Sequence, residues 1–168
     1  MTRSLKAGLA GLAALLGATP ASAQLKVAQP QDIVEAVASC MAATSPGSID
    51  TAQLAADGWS AAPLTGKDQA VDTPLRLFGR KQSAAIIMTT SDTGSDGVCI
   101  ATARIATIAR LAEVERAIAD RFGGRVVERK PGETMFFAGG KVLSLALTGK
   151  PRTPAVRIGV MQMPQEKK

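Results

Sequence analysis

The chain has 168 residues, 46% of them hydrophobic, with twenty basic and fourteen acidic side chains and neither histidine nor tyrosine. Without an imidazole there is no Ser-His-Asp or Cys-His catalysis, no ordinary catalytic zinc site and no histidine-ligated haem. The five aromatic residues, Trp59, Phe78, Phe122, Phe136 and Phe137, are too few for the stacking platforms of carbohydrate or single-strand binders and point to core packing.

Residues 1–23 have the form of an export signal. Arg3 and Lys6 supply the charged start, an apolar small-residue run covers 7–18, and Ala21-Ser22-Ala23 is an A-x-A cleavage site. The run is far shorter than the roughly 20 residues a bilayer crossing needs, and no second long apolar stretch follows, so the expected product starts at Gln24, is periplasmic or secreted, and does not span a membrane. Residues 24–168 are long enough for one domain with a real core.

Pro30 opens a helix over about 30–43, with Asp32 and Glu35 in the part of it that the dipole favours for negative charge. Ile33, Val37 and Met41 give it one apolar face. Ser45-Pro46-Gly47 breaks it, a short helix fits 49–56, and Gly58 ends that one. Trp59, directly after the stop, could cap a ligand pocket but reads as a buried anchor. Residues 60–73, with Pro63, Gly66 and Pro74 at hand and no periodicity, read as a long surface loop.

Three β-rich stretches at 75–79, 84–90 and 97–105 then form an antiparallel meander. A second main helix follows, with Thr107 as its expected cap, Leu111, Val114, Ile118 and Phe122 along one face, and Gly123-Gly124 as the stop. Four strands complete the chain at 125–129, 134–138, 141–147 and 155–163, and Gly139-Gly140 makes a two-residue hairpin turn. The order helix, short helix, three strands, helix, four strands predicts an α+β domain with two main helices on one face of an antiparallel sheet and a frayed tail at 164–168. Met88, Met135, Met161 and Met163 alternate with apolar neighbours and are expected to fill the core.

Cys40 and Cys99 are the only cysteines, and in an oxidising compartment they are expected to pair. Cys40 lies on the apolar side of the first helix and Cys99 on the inward side of a strand, so the bridge would staple the two, and closing so long a loop contributes about 4 kcal/mol in the chain-entropy model. With no C-x-x-C to lower a thiol pKa, the bridge reads as structural.

The loop from Ser91 to Gly97 can be read in three ways. Asp92-Thr93-Gly94-Ser95 is similar to the catalytic tetrapeptide of aspartic proteases, which would make Asp92 or Asp96 an acid/base group and the chain an enzyme. The family's motif follows directly on an apolar strand, whereas Thr89, Thr90 and Ser91 intervene here. Asp92, Gly94, Asp96 and Gly97 also fall at positions one, three, five and six of a calcium loop, but position three lacks an oxygen side chain and position twelve is Ala103, leaving a weak site. The third reading, a polar hairpin connection, is the one adopted.

Charge is the remaining signal. Residues 24–120 carry eight basic and eleven acidic side chains, net −3, whereas residues 121–168 carry ten and three, net +7. Arg125, Arg129 and Arg157 are the candidate members of a basic binding face, read by strand alternation as lying opposite the apolar face. The same residues can equally form a solvated face, which is the more common role of surface charge. No Walker loop, no G-x-G-x-x-G and no nucleophile elbow is present in the sequence and no cofactor is expected. The expectation is an exported, non-enzymatic protein that binds another protein or an anionic envelope surface, and not nucleic acid, through this face or an unpaired sheet edge.

Overall fold

A computed structural model describes residues 25–66, 69–70, 73–90 and 97–163. The expected signal at 1–23, the tail at 164–168 and the loop residues Asp92 and Asp96 lie outside the described residues.

Helix α1 covers Pro30–Ala43, with proline in its first turn and the Asp32 side chain accepting from the Gln29 amide at 2.9 Å. It buries Ile33, Val34, Ala36, Val37 and Cys40. The Ser45-Pro46-Gly47 break proves to be the tip of a small hairpin, β1 (Thr44–Ser45) and β2 (Ser48–Ile49). Asp50 caps α2 (Thr51–Ala56) by accepting from the amides of Ala52 and Gln53 at 2.9 and 3.1 Å.

The stretch expected as a loop contains β3 (Ser60–Ala62) and a hairpin of β4 (Thr65–Gly66) with β5 (Gln69–Ala70). Three residues are too few to show period-two alternation; β3 exists because Ala61 and Ala62 find partners in Phe78 and Leu77. Next come β6 (Leu75–Gly79), β7 (Ala85–Thr90) and β8 (Cys99–Arg104). Thr107 precedes a 3-10 turn over Ile108–Arg110 and makes no side-chain cap, so α3 starts later than expected, at Leu111, and runs to Phe122. The last four strands are β9 (Arg125–Lys130), β10 (Glu133–Ala138), β11 (Lys141–Lys150) and β12 (Thr153–Gln162).

The fold is α+β, as its order implied. One eight-stranded sheet runs β3-β6-β7-β8-β12-β11-β10-β9, every neighbouring pair antiparallel. Two meanders are thus joined where the final strand of the second, β12, docks against the final strand of the first, β8. Helix α1 packs on β7, β8 and β12, and α3 packs on α1 and β10.

Register separates the two faces. The inner rows contain Phe136, Leu143, Val160 and Cys99, and then Thr134, Leu145, Ile158, Ala101, Ile87 and Phe78, all buried with the helices' apolar sides. The outer rows run Lys130, Glu133, Ala146, Arg157, Thr102, Ile86 and then Glu128, Met135, Ser144, Gly159, Ile100, Met88, Leu77. Met88 and Met135, with Met161 paired to Val142 on the same side, therefore lie half-buried on the outer face and do not fill the core; Met163 is exposed.

Gly139 and Gly140 have φ of 54° and 76°, as the tight β10–β11 turn requires. The β11–β12 hairpin extends past β10, because Glu133 pairs with Ala146 while β11 continues to Lys150. At its tip Gly149 has φ of 81°, and a Cβ there would stand 2.4 Å from the Thr153 carbonyl oxygen, so only glycine closes this turn.

Candidate surface for an anionic partner

Cys40 and Cys99 are joined in a disulfide and both are fully buried, α1 being bolted to β8 across 59 residues of sequence. Neither sulfur reaches solvent, which suits a crosslink and leaves no thiol for exchange. Trp59 is the anchor its position suggested. It is 2% exposed, its indole N–H donates to the Ser39 hydroxyl at 3.0 Å, and the Arg80 guanidinium lies 5.0 Å over the ring and pairs with Glu35 of α1. An open cavity of about 420 Å³ lies beside it, lined by Trp59 and Phe78 together with Thr51, Ser60 and Arg76.

Among the described residues no group of three carboxylate or thiol side chains is placed to hold a metal ion. Asp92 and Asp96 lie outside those residues.

The three candidate arginines do not share a face. Arg157 projects from the outer face, paired across strands with Ala146 and Thr102, and Arg125 lies in the outer row of Phe137 and Val142. Arg129 pairs with Thr134, an inner-row residue, and its guanidinium meets Glu115 of α3 at 3.0 Å. The cause is a β-bulge. The β9–β10 register shifts between Met135 and Phe136, so Val127 is an extra residue and the alternation reverses on passing it. In a regular strand positions 125 and 129 would point the same way; the bulge sends Arg129 to the helix side.

The outer face gains cations that simple alternation did not single out. Arg104 of β8 pairs with Ala155 and is a diagonal neighbour of Arg157. Lys150 projects on the same side, Arg152 sits in the turn beyond it, and both are exposed. Lys130 lies at the far end of the Arg157 row, where the Glu128 carboxylate at 2.8 Å holds its pKa above the usual lysine value. Glu133 in that row accepts from the Ser144 hydroxyl at 3.0 Å. Two enclosed polar atoms beside these cations, Thr102 Oγ1 and Arg104 Nε, have no hydrogen-bond partner among the described residues. Next to this cationic end, the same face continues as an apolar stripe of Ile86, Ile100, Met88 and Leu77, all half-buried.

Lys141, by contrast, turns inward. It pairs with Ala138 and donates from Nζ to the Met41 carbonyl at the end of α1, and burial holds its pKa below the ordinary lysine value. It joins the second meander to the first helix and is no part of a binding face.

A scan against protein-family models and searches of curated proteins and of solved structures give no match for this chain.

Proposed function

We propose that this chain is an exported, non-enzymatic binding protein, periplasmic or secreted, that holds an anionic envelope component against the outer face of its sheet. The observation that carries the reading is the clustering of Arg104, Lys150, Arg152 and Arg157 at the β11–β12 end of a face that, among the described residues, no helix covers. Cations grouped around one end of an apolar stripe suit a ligand that carries negative charge next to apolar surface, as an acidic lipid headgroup does, and an acidic polysaccharide offers the charge alone. The buried disulfide and the A-x-A signal at 21–23 support the compartment.

The test is a triple reversal, Lys150→Glu, Arg152→Glu and Arg157→Glu, at three exposed positions where the fold should survive. Three changes are needed because each exposed charge is worth little on its own. Sedimentation with anionic vesicles and retention on an acidic polysaccharide are the two arms. Loss of one or both in the variant, and loss in the wild type at raised salt, is the expected result. Wild-type protein that binds neither, or a variant that binds as well as wild type, would return these cations to the role of solvated charge.

A further inference from the structure

Among the described residues strand β9 ends the sheet, hydrogen-bonded to β10 on one side, and all six of its residues are exposed. An edge strand directs alternate N–H and C=O groups away from its partner, where they accept another strand. Val126 is 42% exposed and Val127 49% exposed, a large apolar exposure for one short strand. On the inner side α3 lies over β10, and between α3 and β9 a cavity of about 290 Å³ remains, lined among others by Ala112, Glu115 and Arg116 from the helix and Val126, Arg129 and Phe136 from the strands.

We infer that this edge and groove take an extended acidic segment of a partner protein by strand addition. The site is separate from the outer cationic cluster and does not depend on the reading given to that cluster. A strand added beside β9 continues the inner row of Val126, Phe136, Leu143 and Val160, so its residue opposite Val126 places a side chain in the groove over the Phe136 ring. That position calls for an apolar side chain. The surroundings call for acidic neighbours: Glu115 at the groove pairs with Arg129 and Glu128 with Lys130, and Arg125 of β9 and Arg116 of α3 leave the site net positive. The same charge argues against a second copy of the chain as occupant, since two β9 edges side by side would bring net positive strands together. The bulge at Val127 interrupts the flat edge, so the added segment is short and selected by charge and by one anchoring side chain.

The probe is a synthetic peptide alternating valine and glutamate, followed by fluorescence anisotropy against the full chain. Three companions are the lysine-for-glutamate peptide and two versions N-methylated on alternate sets of backbone amides. The expected pattern is binding of the parent peptide, loss with lysine, and loss with one methylated set but not the other, because only alternate amides of an added strand face β9. Ala112→Glu and Val126→Glu, both at exposed positions, should each weaken binding roughly tenfold while thermal melts stay close to wild type. The Lys150, Arg152 and Arg157 reversal should leave peptide affinity within about twofold. No binding of the parent peptide, equal binding of both methylated sets, or affinity that follows the hairpin cations in place of Ala112 and Val126 would overturn the inference.

Discussion

The two meanders of the sheet are built to different ends. In the first, β3, β6, β7 and β8 are three to six residues long, and what holds them is cross-connection: the Cys40–Cys99 bolt, the Trp59 anchor and the Arg80 side chain laid between Trp59 and Glu35. In the second, β11 and β12 pair over ten residues each, and the strands beyond them lose cover until β9 is exposed along its whole length. Residues 60–104, which hold the first meander, carry five basic and four acidic side chains and are nearly neutral, whereas residues 125–162, which hold the second, carry seven and two. Stability is concentrated where α1 crosses the first meander, which leaves the second free to carry charge and an open edge that would otherwise weaken the fold.

If so, damage to the first meander should cost most. Trp59→Ala removes a buried indole together with its hydrogen bond to Ser39, and should lower stability by about 3–5 kcal/mol in urea unfolding. A loss under 1 kcal/mol, on the order of a surface change, would mean that the ring is not an anchor.

The bridge comes next. Cys40→Ser and Cys99→Ser should each cost about 2–5 kcal/mol and by similar amounts, because either removes the same crosslink, and the double variant should cost little more than one. Alkylation of denatured, unreduced protein should label no thiol; two labelled cysteines would remove the bolt from the comparison.

In the second meander the corresponding experiment is Glu115→Ala. Its carboxylate receives both Arg129 at 3.0 Å and the buried Thr134 hydroxyl at 2.7 Å, the polar tie between α3 and the β9–β10 end. Stranding the Thr134 hydroxyl should cost about 1–2 kcal/mol, and hydrogen exchange should quicken in β9 before β8. Equal quickening in both would show that the sheet does not divide in this way.

The smallest effect lies at the seam. Lys141 has a folded-state pKa below 10.5, so the folded chain binds this proton more weakly than the unfolded one, and the wild type gains stability from this group as pH rises through the interval below 10.5. Lys141→Met lacks that gain. The stability of the variant relative to wild type should therefore fall between neutral pH and pH 10.5. A difference flat in pH would mean that the ammonium is not desolvated.

Most of the architecture was legible because β11 and β12 place Leu143, Leu145 and Leu147, and Val156, Ile158 and Val160, at alternate positions and α3 keeps a helical apolar period. The failures have specific causes. Strand β3 depends on distant partners at Leu77 and Phe78 and leaves no local pattern. The outer-face methionines looked like core because the middle strands are apolar on both sides, and parity cannot then tell which side the helices cover. Arg129 was misplaced by one bulged residue whose position only the pairing reveals. Arg104 and the β11–β12 tip were missed as members of a charged cluster because they come from separate stretches of chain, joined by the β8–β12 pairing.

The bolt between α1 and β8 also decides how the protein would respond to being pulled. A tension applied at the two chain ends enters through residues just before α1, where Val27 bridges β8 and the Ala28 amide donates to the Arg104 carbonyl at 2.8 Å, and leaves through β12, which lies against that same strand. The 59 residues of separation between the bridged cysteines cannot lengthen while the bond is intact, which withholds roughly 200 Å of contour from any extension. Stretched under oxidising conditions, the molecule would release α3 and the strands β9–β12 and stop short, whereas in reductant the same pull would draw out the whole chain.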